Sequence, residues 1–288
     1  MTAADYAERY FRAQDGLRLY YRDYGNPHSP RPPLLCLAGL TRNSKDFHDI
    51  ACRHAEARRV IALDFRGRGR SDYDPDYRNY QVLVYLSDVL HLLVVTQCHR
   101  VVVLGTSMGG LVAMAMGAAN PASLVGVILN DIGPEIASLG KQRIVSDLGA
   151  DIHFPDYQAA AAAWQKSGAG IYPKMEAAGW LKLAQTTFTE DKRRGGVRPD
   201  YDPKIARAMD EQSKEPVPDL WPLFRGLRNV PVLTLRGALS DLLSAETLVR
   251  MKREHAGMTP VTVPDVGHAP MLDEPVAQTA IDDFLAHL

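Results

Sequence analysis

Six short runs of apolar, β-prone residues recur along this chain, and they restrict its fold more than any other feature: "LLCLAG" at 34–39, "VIALDF" at 60–65, "VVVLGT" at 101–106, "LVGVILND" at 124–131, "VPVLTLRG" at 230–237 and "TPVTVPD" at 259–265. Strands with one face in water alternate apolar and polar residues, whereas parallel strands covered on both faces read as apolar almost throughout. Helical patterns lie between the runs. The clearest, at 79–97, carries an apolar stripe through Val82, Leu86, Val89, Leu90 and Leu93. The last, "PVAQTAIDDFLAHL", repeats Val276, Ala280, Ile281, Phe284 and Leu285 on one face. Near the start, "ERYFRA" and "LRLYYRDYG" flank "QDG" as the arms of an antiparallel hairpin. The expected fold is α/β: a mostly parallel eight-stranded sheet with helices on both faces.

The alternation stops between Gly133 and about Pro222. This stretch has no convincing strand and reads as short helices at 136–149, 157–168, 175–188 and 203–214, separated by Gly and Pro. An inserted helical segment at 134–222 therefore interrupts a core made of 1–133 and 223–288.

Lys and Arg number 33 against 34 Asp and Glu, a formal net charge of −1. That balance gives no electrostatic reason to expect nucleic acid or an anionic membrane as partner, which leaves a small molecule. The oligomeric state has no signature in the sequence. The most apolar helical stretch, "VLVYLSDVLHLLVV", is too short to span a bilayer. Three cysteines (Cys36, Cys52 and Cys98) without CxxC spacing, and an N-terminus without a basic-then-apolar signal, point to a reducing, cytoplasmic setting. His and Cys spacings show no metal-ligand pattern, and no metal or cofactor is expected.

The candidate chemistry centres on "GTSMG" at 105–109. It follows a strand and opens a helix, the context that turns G-x-S-x-G into a nucleophile elbow at Ser107. The alternative is a plain helix cap. A serine hydroxyl needs a base, and the base needs an orienting acid. Among nine histidines, His268 lies just beyond the last strand, in "VPDVGHAPMLDEP". For the acid, Asp241 follows the preceding strand by a short turn and is the favoured candidate. Asp131, at the end of the strand before the insertion, is the alternative.

The order Ser107, Asp241, His268 behind successive strands, with G-T-S-M-G-G, resembles the α/β-hydrolase family over essentially the whole chain. The resemblance casts the insertion as that family's cap. "DFRGRGRSD" at 64–72 is similar to its D-x-R-G-x-G-x-S turn, read as structural, with glycines for turning and charges for local pairing. It further implies an oxyanion hole from the backbone N–H groups of Leu40 and Met108. The family commonly carries His-Gly after its third strand, but this chain reads Ala38-Gly39-Leu40. Something else must brace that loop, and Arg42 and Asn43 are the nearest candidates.

The activity so implied is hydrolysis of a small-to-medium apolar or aromatic ester or lactone through an acyl-enzyme, without a cofactor. Arg42 and, from the insertion, Trp164 are candidate substrate contacts, although the insertion's aromatic residues also suit a small core of its own. Two other readings stay open: a C–C bond hydrolase of ring-cleavage dienoates, and a non-catalytic ligand-binding protein on the same scaffold.

Overall fold

The computed structural model describes residues 6–137, 140, 148, 151–216 and 218–288. The chain opens with strands β1 (Tyr6–Arg12) and β2 (Arg18–Tyr24), an antiparallel pair in register from Tyr6↔Tyr24 to Arg12↔Arg18. β3 (Leu34–Leu37), helix α1 (His48–His54), β4 (Val60–Leu63), α2 (Val82–Val95), β5 (Val101–Thr106), α3 (Met108–Ala119) and β6 (Leu124–Asn130) follow. The insertion contributes α4 (Tyr157–Gly168), α5 (Ala177–Thr187), β7 (Phe188–Glu190), β8 (Val197–Pro199) and α6 (Lys204–Ser213). The chain then returns through α7 (Trp221–Arg225), β9 (Val232–Gly237), α8 (Ala245–Glu254), β10 (Met258–Val263) and α9 (Pro275–Ala286).

The main sheet has eight strands in the order β1-β2-β4-β3-β5-β6-β9-β10. From β4 to β10 every pairing is parallel, and only β1 and β2 run against their neighbours. The unbroken apolar runs have a direct cause. Leu35, Leu37, Val101 and Val103 face one hydrophobic cluster with α2, α3 and α7. Leu34, Cys36, Val102 and Leu104, one residue out of step, face a second cluster with α1 and α9. Side chains of a strand alternate between faces, so a sheet buried on both sides needs apolar residues at every position. Cys36 is fully buried, which pushes its thiol well above the usual range.

Two expectations need correction. The insertion is not all helical: β7 and β8 pair antiparallel as a two-stranded ribbon, Phe188↔Pro199 to Glu190↔Val197. Strands of three residues leave no readable period, which is why the sequence pattern missed them. The buried stripe of α9 runs through Ala277, Ile281 and Leu285, while Val276 is 41% exposed. The helix expected at 136–149 falls largely outside the described residues. Ala160, Ala161, Trp180, Leu183, Ala184, Phe188 and Val197 form a third hydrophobic cluster, separate from the two that sandwich the sheet. No helix among the described residues is long and apolar enough to cross a membrane.

Candidate active site

The C-terminal ends of the parallel strands all open on one edge of the sheet, the usual ligand side of such folds. Ser107 follows β5 immediately, in a backbone conformation (φ 53°, ψ −116°) that a non-glycine residue adopts only at a cost of about 1–3 kcal/mol. The flanking glycines make this turn possible. A β-carbon on Gly105 would meet the Gly109 backbone at 2.5 Å, and one on Gly109 would meet the Leu37 carbonyl oxygen at 2.1 Å. Ser107 occupies the N-cap position of α3, but its side chain makes no capping hydrogen bond. Its hydroxyl instead lies 3.0 Å from His268 Nε2. The capping alternative is thus not realised.

His268 sits in the loop between β10 and α9, and neighbouring elements hold that loop at several points. Gly267 N–H donates to the Ile171 carbonyl of the insertion at 2.7 Å. The Tyr172 hydroxyl donates to the Ala269 carbonyl at 2.8 Å, and burial keeps this phenol protonated by raising its pKa. Asn130 Nδ2 donates to the Pro270 carbonyl at 2.9 Å, and the Glu274 carboxylate accepts from Met271 and Leu272 N–H.

The acid facing this histidine is Asp131. Its Oδ2 lies 2.8 Å from His268 Nδ1, where the sequence had favoured Asp241. Asp131 is fully buried and its backbone bends with φ 55°, a left-handed conformation that aspartate tolerates better than most residues. That bend carries the carboxylate from the end of β6 toward the far side of β9. Gly237 N–H donates to Oδ1 at 2.8 Å, and the Ser240 hydroxyl donates to Oδ2 at 2.6 Å. Gly237 also leaves space for the histidine loop, since a β-carbon there would lie 2.4 Å from the Gly267 carbonyl oxygen. Asp241 is half-buried one residue further along the same turn, with its carbonyl accepting from Gly140 N–H at 3.2 Å. Ser240 went unnoticed in the sequence, where nothing sets it apart from other turn serines. Ser244 is the N-cap of α8, accepting from Thr247 N–H at 3.0 Å.

Leu40 lies in the loop after β3, and Met108 is the first residue of α3. A helix's first N–H groups have no intrahelical partner, so Met108 N–H is left to other acceptors. The loop runs against the serine: a β-carbon on Gly39 would sit 3.7 Å from Ser107 Cβ. Arg42 reaches toward the insertion. Its guanidinium pairs with Asp46, donates to Thr186 Oγ1 at 2.7 Å and also bonds Thr187 Oγ1, which ties this loop to α5. Asn43 adds a bond to Asp200 at 3.2 Å. Trp164 packs edge-on against Phe188 at 5.4 Å, at the margin of the insertion's own cluster.

Ser107, His268 and Asp131 thus meet beyond the ends of β5, β10 and β6, with the aspartate fully buried and the other two partly so. The profile of the alpha/beta hydrolase family matches residues 34–282, and the chain belongs to that family. It is similar to the 3-hydroxybutyrate-oligomer hydrolase of Cupriavidus necator, 34% identical over 92% of this chain and 91% of the relative. It is 28% identical to the 2-(acetamidomethylene)succinate hydrolase of Mesorhizobium japonicum, over 82% of this chain and 81% of that one. The crystal structure of an alpha/beta hydrolase from Novosphingobium aromaticivorans superposes with a TM-score of 0.93, at 42% identity and 99% coverage of both chains.

Proposed function

We propose that this hydrolase is a serine esterase acting through an acyl-enzyme, with Ser107 as nucleophile, His268 as general base and Asp131 as the orienting acid. The observation that carries this reading is the continuous chain from Ser107 Oγ to His268 Nε2 (3.0 Å) and from His268 Nδ1 to Asp131 Oδ2 (2.8 Å). The buried carboxylate fixes the proton on Nδ1, leaving Nε2 basic toward the serine, and stabilises the imidazolium that forms on attack. Leu40 and Met108 N–H receive the developing oxyanion, and His268 returns the proton to the leaving alcohol. A water activated by the same histidine then releases the acid. The insertion at 134–222 acts as the cap over this site.

The first substrates to try are short oligomers of 3-hydroxybutyrate and related aliphatic hydroxy-acid esters, which the resemblance to the Cupriavidus enzyme supports. The C–C hydrolase reading would need another cation for a dienoate carboxylate, because Arg42, the candidate the sequence offers, directs donors to Asp46 and the two threonines. The test is fluorophosphonate labelling together with a panel of hydroxybutyrate oligomers, p-nitrophenyl esters, lactones and dienoates. Stoichiometric labelling at Ser107, abolished in Ser107→Ala, with turnover of esters, is expected. An unlabelled wild-type protein would instead favour the ligand-binding reading, and preferential turnover of dienoates the C–C hydrolase.

A further inference from the structure

Of the three arginines in the turn at 64–72, Arg66 and Arg68 are each about 1% exposed or less and lie in opposite electrostatic settings. Arg66 is surrounded by carboxylates. It meets Asp88 at 2.6 and 2.8 Å, Asp74 at 2.6 Å and Asp15 at 2.7 Å. Arg68 has no carboxylate within salt-bridge distance among the described residues. Its Nε donates to the Leu40 carbonyl at 2.8 Å, and Nη1 donates to the Arg66 carbonyl at 2.7 Å and the Tyr85 hydroxyl at 2.8 Å. Nη2 lies 3.7 Å from Met108 Sδ, and the guanidinium stands over the Tyr85 and Tyr80 rings at 4.8 and 5.5 Å.

A buried cation without a counter-charge costs stability, even when aromatic faces offset part of the loss. Such a residue is better explained by what it holds than by what it stabilises. Arg68 holds the Leu40 carbonyl and touches the Met108 side chain, and these are the two residues whose N–H groups the serine-hydrolase reading assigns to the oxyanion hole. It does so in a chain where Ala38 stands at the position of the family's usual histidine and offers no polar side-chain atom. The local sequence aims it there. Gly67 and Gly69, both at positive φ, flank it, and β-carbons at these positions would collide with the Tyr80 ring at 2.7 Å and the Asp64 carboxylate at 2.1 Å. The turn is also pinned from outside, since Gly69 N–H donates to the Asp200 carbonyl and Asp202 N–H to the Gly67 carbonyl.

We infer that Arg68 is the positioning residue of the oxyanion hole, its planar fork locking the peptide that follows Leu40, and through Leu40 the N–H one peptide earlier, against the start of α3. The inference rests on the serine-hydrolase reading above. A lysine would keep the charge but could not reproduce a fork that fixes several acceptors in one plane.

The test compares wild type, Arg68→Lys and Arg68→Met, each titrated for active sites with a fluorophosphonate and checked for folding by thermal unfolding. Loss of one oxyanion donor costs about 10²–10³ in rate, so a displaced one should lower kcat per titrated site by about 100-fold in Arg68→Met and about 10-fold in Arg68→Lys. KM should stay within about threefold, because the lost interaction belongs to the transition state. Affinity for a trifluoromethyl ketone, whose hemiketal oxygen occupies the hole, should fall in parallel with kcat. The low-pH limb of the rate profile, the one a general base governs, should not move, since His268 is untouched. A purely structural arginine would lower the fraction of titratable sites and leave these per-site values alone, and that result overturns the inference. So does a shifted low-pH limb, which would place the effect on His268. If Arg68→Met does not fold, wild-type kcat and ketone affinity in Arg68→Lys overturn it equally. A wild-type protein without a reactive Ser107 brings down the serine-hydrolase reading and this inference with it, whereas reactive wild type with unaltered variants overturns this inference alone.

Discussion

The ends of β6 and β9 each present an aspartate on the C-terminal edge of the sheet, and only Asp131 faces His268. Asp131 leaves β6 directly, bends through positive φ and buries its carboxylate under Gly237 N–H, the Ser240 hydroxyl and His268. Asp241 stands four residues beyond β9, half-buried, in a turn whose preceding serine already points at Asp131. Both are aspartates just past a strand in the right part of the chain. The difference is that the β9 turn supplies donors to an acid on its neighbour strand instead of supplying the acid. The carboxylate that meets the histidine is therefore set less by its distance from a strand end than by the N–H and O–H groups converging on it.

The sharpest way to break this comparison is Asp131→Asn. An amide in this place favours the wrong imidazole tautomer, and kcat for ester hydrolysis should fall by about 10⁴ with the fold retained. Near-normal kcat in that variant would return the acid's role to another residue. Gly237→Ala should follow, because its methyl would crowd the Gly267 and Val266 carbonyls and shift the histidine loop. A misplacement of that kind costs about 10² in kcat/KM, and Asp131→Asn/Gly237→Ala should then lose less than the product of the two single losses. Ser240→Ala removes one donor from the same oxygen that His268 engages, a charge-assisted bond of about 1.5–3 kcal/mol. Only part of that bears on the transition state, so about a tenfold loss in kcat is expected. The smallest effect belongs to Asp241→Asn, within about threefold of wild type in steady-state kinetics, as for a half-buried surface substitution. A loss there as large as that of Asp131→Asn would reverse the assignment.

Much of the fold was legible because its signals are local. Apolar runs of strand length, separated by helical periods, give a parallel sheet covered on both faces. Glycines two residues either side of Ser107 give the elbow, since only they let the Gly105–Gly109 and Gly109–Leu37 backbones pass so closely. What was not legible depends on contacts between distant segments. Arg42 reads as a loop charge near the site, yet its fork is directed at Asp46 and α5, some 144 residues away. Trp164 reads equally as a pocket aromatic or as part of the insertion's own core, and only the fold shows that it packs on Phe188. The β7–β8 ribbon is too short for any period to show.

From the sequence alone came the α/β sheet, the glycine-flanked turn at Ser107 and the histidine beyond the last strand, because each is fixed by backbone sterics and by a hydrophobic period within a few residues. The tertiary structure decided the rest: which aspartate meets His268 and what stands behind the Ala38-Gly39-Leu40 turn. Both depend on side chains reaching across neighbouring strands, Asp131 past β9 and Arg68 from the β4 turn to Leu40. No spacing along the chain encodes those distances, because the lateral order of the strands, with β9 seated between β6 and β10, exists only once the sheet has formed.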